Sequence, residues 1–218
     1  MKKKIGVVLS GCGVYDGSEI HEAVFTLLAI DRNGAEAVCM APNILLDEVD
    51  HLAGAPTGGK RSVLVESARI ARGKIKNIAD VKGTDLDAII FPGGFGAAKN
   101  LCDFAVKGAA AAPNPDVARL VKEMVAARKP IGAICIAPAL IAAILGKECS
   151  PKLTIGNDAA TAAAINATGS CHVECPVTEF VVDSENRIVS TPAYMLAGHI
   201  GEAAEGIEKT VKAVIDLI

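Results

Sequence analysis

Along nearly the whole chain, short apolar runs alternate with longer stretches of helical periodicity, and this alternation constrains the fold more than any other feature. A strand buried on both faces reads as a continuous apolar run. Strands separated by helices pair in parallel, with the helices covering both faces of the sheet. Ile5–Leu9, Ala37–Met40, Leu86–Phe91, Ile131–Ile134 and Leu153–Ile155 read as such strands. Helical periodicity covers Glu19–Arg32, with Gly34 as a stop just beyond, and returns at Val63–Arg72, Ile136–Leu145, Ala159–Ala167 and Ala197–Ile218. Asn114-Pro115-Asp116 offers a good N-cap and a proline for the first helical position, so another helix starts there and ends at Lys129-Pro130. Pro42–Lys60, with Pro56, Gly58 and Gly59, reads as a loop. Phe180–Val182 and Arg187–Ser190 flank Ser184-Glu185-Asn186 and read as a β-hairpin. The expected fold is α/β, a three-layer sandwich around a mostly parallel, flavodoxin-like sheet.

With 218 residues, 51% hydrophobic and 22% charged, the chain has the apolar content for a sizeable core. A chain of this size buries about 70% of its unfolded surface without metal or disulfide support. No linker, repeat or low-complexity stretch divides it, so residues 1–218 read as a single domain. A net charge of −3 gives no basic field for a nucleic-acid backbone. No apolar stretch reaches the ~20 residues of a bilayer span. Neither nucleic acid nor membrane is an expected partner. An odd count of 7 cysteines in so apolar a chain suits buried free thiols in a reducing compartment, and the expected location is cytoplasmic. Lys2-Lys3-Lys4 ahead of Ile5–Leu9 and Cys12 imitates a lipoprotein signal. The apolar run is too short for one and is broken by Gly6, so it reads as the first strand.

The chemistry-bearing stretch is Gly132-Ala133-Ile134-Cys135-Ile136-Ala137-Pro138-Ala139, where a strand enters, a helix leaves and Cys135 sits on the junction. A nucleophile on such an elbow needs small residues two before and two after it, here Ala133 and Ala137. The helix N-terminus aims free N–H groups at the sulfur, which favours a thiolate. Pro92-Gly93-Gly94-Phe95-Gly96 ends another strand, and Gly94 N–H with Ile136 N–H would form an oxyanion hole. Glu19 and Glu22 share a helix face, and either is a candidate to pass protons to and from Cys135. Gly11-Cys12-Gly13 starts like a dinucleotide loop, but Asp16 stands at the third glycine position and the fingerprint fails. Cys171-His172-Val173-Glu174-Cys175 lacks a matching second half at zinc-site spacing, so no metal is expected.

These stretches together resemble the class I glutamine amidotransferase-like superfamily that includes PfpI-type proteases and glutathione-independent glyoxalases. Within it, the chain is most similar to the ElbB-type subgroup of isoprenoid-biosynthesis-associated glyoxalases. The matching stretches are Leu9–Glu19, Pro92–Leu101, Cys135–Ala139 and Thr191–Leu196. The resemblance implies Cys135 as nucleophile and a glutamate twelve residues before the glycine that ends the first helix. Counting back from Gly34 gives Glu22 rather than Glu19. Gly93, Gly94 and Ile136 would bind substrate oxygen. Many relatives carry His directly after the cysteine where this chain has Ile136, and His172 is a possible base in its place. The implied activity is a cofactor-independent glyoxalase acting on small dicarbonyls, glyoxal foremost, in a homodimer. The alternatives are a non-catalytic or redox-sensing cysteine protein and, less favoured, a glutaminase subunit. The last lacks Gln four residues after the cysteine, where Ala139 stands, and has Thr191-Pro192 where a His-x-Glu pair is expected.

Overall fold

A computed structural model describes residues 2–218. In chain order its strands are β1 (Lys4–Val8), β2 (Glu36–Ala41), β3 (Leu45–Asp50), β4 (Ala55–Ser62), β5 (Lys76–Asn77), β6 (Ala88–Phe91), β7 (Ile131–Ile134), β8 (Lys152–Leu153), β9 (Cys171–His172), β10 (Val181–Asp183) and β11 (Ile188–Thr191). The helices are α1 (Ile20–Arg32), α2 (Val63–Ile70), α3 (Phe95–Lys99), α4 (Phe104–Lys107), α5 (Pro115–Ala126), α6 (Ala137–Cys149), α7 (Ala159–Ala167) and α8 (Ile200–Asp216). The central sheet runs β10-β11-β7-β6-β1-β2-β5, and only β10 is antiparallel to its neighbour. The expected three-layer α/β sandwich is the observed fold.

Alternation of side chains along the buried strands produces the layers. Val8, Ile89, Phe91 and Ile131 point into one apolar layer with Leu120 and Val121 of α5 and Leu140 and Ile141 of α6. Ile5, Val7, Ile90 and Ile134 point into the other, with Ile30 of α1 and Ile207 and Val211 of α8. Helix starts follow the capping residues. Asn114 Oδ1 accepts from Asp116 and Val117 N–H ahead of α5, and the Glu19 carboxylate accepts from Glu22 N–H ahead of α1.

The chain leaves β1 toward β2 and β5, then returns to β6 on the other side of β1 and continues to β7 and β11. The strand order therefore reverses between β1 and β6. Outside the carboxyl ends of strands at such a reversal the connecting loops diverge and leave a crevice. The loops after β1, β6 and β7 meet there.

The expected Pro42–Lys60 loop is instead mostly the antiparallel pair β3–β4, with a register shift between Asp47 and Val49. Its residues are largely exposed, so no apolar alternation marks it in the sequence. It is anchored by charge. Arg61 binds the buried Asp16 of the β1–α1 loop and also reaches Glu66 at 2.9 Å and Glu48 at 3.2 Å. Val49 N–H donates to Asp16 Oδ2 at 2.9 Å. Asp16, which spoils the dinucleotide fingerprint, is thus the docking post of this hairpin.

Candidate active site

Cys135 occupies the single residue between β7 and the Ile136 cap of α6, at φ 62°. This left-handed conformation is costly for a side-chain-bearing residue. Ala133 and Ala137 are both fully buried, as the tight junction requires. Cys135 N–H donates to Thr191 O at 2.9 Å, which ties the elbow to the end of β11. The sulfur receives the N–H groups of Gly94 and Ile136 and faces the carboxyl of Glu22. Only 7% of the residue is exposed.

Glu22 lies on the inner face of α1 and is fully buried. Both carboxyl oxygens are held, Oε2 by Gly93 N–H at 2.9 Å and Oε1 by Tyr194 N–H at 3.2 Å. Burial, then the neighbouring Glu19, pushes its pKa up to about 8 against these bonds and that of Cys135. Glu19 secures the corner, its Oε2 accepting from Glu22 N–H at 2.7 Å and its own N–H donating to Gly93 O at 2.9 Å.

Glycine at 93 is a requirement of space. A Cβ there would lie 2.4 Å from Cys135 Cβ and 2.6 Å from Glu22 Oε2. Gly94 has φ +93°, and its Cβ would lie 2.3 Å from Glu19 N. The Gly93-Gly94 pair lets the β6 loop pass between nucleophile and carboxyl while aiming N–H groups at both.

The structure gathers five of the residues singled out from the sequence: Cys135, Glu22, Gly93, Gly94 and Ile136. His172 is not among them. It sits on β9, and its Nε2 accepts from Ile155 N–H at 3.3 Å, so the lone pair a base needs is already engaged. The expected thiolate is corrected as well. Burial, then the Glu22 carboxylate, holds the Cys135 pKa well above the usual thiol range and outweighs the Gly94 and Ile136 N–H groups. At neutral pH the pair keeps both protons. Tyr194 and Thr191 went unassigned in the sequence. Their stretch belongs to a family motif, but nothing local in the sequence shows that it turns back onto α1. Among the described residues, no group of three or more His, Cys, Asp or Glu is placed to hold a metal ion, and no helix is long and apolar enough to cross a membrane.

A mostly parallel sheet with a cysteine elbow at its reversal point defines a glutamine amidotransferase-like protein of the DJ-1/ThiJ/PfpI fold. No protein-family model matches the sequence. The mitochondrial ES1 protein homolog of Rattus norvegicus is 44% identical over 227 residues, covering 99% of this chain and 84% of that protein. The mitochondrial glutamine amidotransferase-like class 1 domain-containing protein 3 of Homo sapiens is 45% identical, with 98% and 83% covered. The chain belongs to this ES1 family of glutamine amidotransferase-like class 1 domain proteins. A crystal structure from Ehrlichia chaffeensis, described as an isoprenoid biosynthesis protein with an amidotransferase-like domain, superposes with TM-score 0.93 over 99% of both chains at 38% identity. Glyoxalase III of Candida albicans shares the fold, with TM-score 0.63 at 15% identity over 99% of this chain and 97% of that one. The expectation of a cytoplasmic location is overturned, since the rat and human relatives and the ES1 protein of Danio rerio are all named mitochondrial.

Proposed function

We propose that the chain is a cofactor-independent glyoxalase that converts glyoxal to glycolate, and methylglyoxal to lactate, through a hemithioacetal on Cys135. The observation that carries this reading is a thiol on a strained elbow in contact with a buried carboxyl whose pKa of about 8 suits proton exchange. As carboxylate, Glu22 takes the thiol proton while sulfur bonds to one aldehyde carbon. The proton passes to the new alkoxide, which the Gly94 and Ile136 N–H groups stabilise. Glu22 next removes the C–H proton from that carbon and returns it to the neighbouring carbonyl carbon by way of an enediol. The first carbon is thereby oxidised to a thioester and the second reduced to an alcohol. Water cleaves the thioester, restores the thiol and releases the hydroxy acid with one proton. No external electron carrier enters the balance, and the low exposure of Cys135 favours small dicarbonyls.

The redox-sensor alternative is disfavoured by the same site, because sensing cysteines are accessible and readily ionised whereas burial holds this one protonated. A glutaminase has no support from His199 and Glu202, which face each other at 3.7 Å at the exposed start of α8. The Ehrlichia relative's description supports the association with isoprenoid biosynthesis that the resemblance implies. The test is an NMR product assay with glyoxal. Wild type yields glycolate, Cys135→Ser and Cys135→Ala yield none, and Glu22→Gln loses at least about 100-fold in kcat. Turnover retained by Cys135→Ala rules the mechanism out.

A further inference from the structure

The short turn after β11 touches both reacting groups. Thr191 O accepts from Cys135 N–H at 2.9 Å, and Tyr194 N–H donates to Glu22 Oε1 at 3.2 Å. Between them lies Ala193, fully buried at φ 43°, a left-handed conformation that a non-glycine residue keeps only under restraint. One restraint is the Tyr194 hydroxyl, 2.9 Å from Nδ1 of His21, the residue next to Glu22 on α1. The same Nδ1 lies 3.9 Å from Glu19 Oε1, while Glu19 Oε2 holds Glu22 N–H. Tyr194 therefore grips α1 twice, by its backbone at residue 22 and by its side chain at residue 21.

We propose that Tyr194 is a positioning residue whose hydroxyl, tied to His21, keeps the strained turn closed and so holds Glu22 in register with Cys135. The inference rests on the Glu22–Cys135 pair invoked for the glyoxalase reaction. The groups facing Glu22 are Glu19 from the cap of α1, Cys135 from the β7–α6 junction, Tyr194 from the turn, and the Gly93 N–H from the β6 loop, while His21 faces Glu19 and Tyr194. Of these, the Tyr194 N–H bond favours the carboxylate. Loss of the hydroxyl releases the turn and lengthens that bond, so Glu22 keeps its proton to higher pH.

Alkylation of Cys135 by iodoacetamide, followed against pH by mass spectrometry of the Cys135 peptide, reads the pair without requiring turnover. Wild type alkylates only once Glu22, which ionises first at about pH 8, can take the proton of the thiol, and the midpoint of that rise is the quantity followed. Tyr194→Phe and His21→Ala each raise the midpoint by about half a unit or more, and the double variant goes no further than either single. His21→Asn keeps a partner for the phenol at the same position and restores the wild-type midpoint. An unchanged midpoint in Tyr194→Phe, or shifts that add in the double variant, overturns the proposal. So does a lowered unfolding temperature without a pH shift. If glyoxal is not converted but the alkylation profile shifts as described, the positioning role stands and the glyoxalase reading fails. Failure to alkylate wild-type Cys135 at any pH removes both.

Discussion

At the residue scale, the site is organised around two groups that resist ionisation for the same reason, burial, and correct each other through contact. Glu22 has a pKa of about 8 in the fold against 4.5 as a free side chain. Below pH 4.5 it is protonated folded or unfolded and contributes no pH dependence. Between the two values the unfolded chain has lost the proton and the fold retains it, so stability falls as pH rises, by on the order of 5 kcal/mol at the alkaline end. Catalysis needs the carboxylate, so kcat/KM rises over the same range and levels off above about pH 8. Urea midpoints and glyoxal rates measured from about pH 5 to about pH 9 should therefore move in opposite directions. In Glu22→Gln the slope of stability disappears. Its level is lower at acid pH, because one of the two N–H groups that now bind the carboxyl then faces an amide NH2, and the two curves cross as the wild type loses stability toward alkaline pH. Gly93→Ala tests the close approach. The added methyl must displace either Cys135 or Glu22, so we expect glyoxal turnover to fall at least about 100-fold while the fold is retained, as read by circular dichroism.

At the element scale, the β3–β4 hairpin buries one apolar side chain in the core, Leu46, and is otherwise held by ion pairs around Arg61, whose side chain is 28% exposed while that of Asp16 is 0% exposed. Removing the guanidinium leaves the fully buried Asp16 without its arginine, while Glu66 keeps Arg69 at 2.9 Å. Arg61→Ala should cost about 3 kcal/mol in urea unfolding and release the hairpin to fast amide exchange. Double replacement with Asp16→Asn should recover part of that loss, since one buried charge goes with the other. This element also shows where sequence reading reaches its limit. Strands buried on both faces write continuous apolar runs, and β1, β6 and β7 are legible for that reason. A hairpin held by charges writes no such run, and Gly58-Gly59 inside β4 reads as a breaker and lies in the unpaired stretch at the register shift.

At the scale of the whole molecule, the outer face of α1 exposes Ile20, Val24 and Leu28 at 43%, 47% and 39%, one residue after another at helical spacing and opposite the face that carries Glu22. The homodimer implied by the family resemblance would cover this stripe. Val24→Glu places a charge at its centre, and we expect it to convert a dimer to a monomer in sedimentation equilibrium. An unchanged dimer would place the contact elsewhere.

The sequence by itself determined the sheet and its helices, because burial on two faces writes continuous apolar runs and capping residues mark the helix ends. It also determined the elbow, because a nucleophile there demands small flanks, and the glycine pair, because backbone must pass where no Cβ fits. Glu22 was chosen over Glu19 only through a family spacing. The contact between that carboxyl and the thiol, the protonation both keep, and the turn from Thr191 to Tyr194 that holds them were decided by tertiary structure. Desolvation and a shared proton depend on which groups the folded loops shut away from water, and residues more than a hundred positions apart in the chain carry no local trace of meeting.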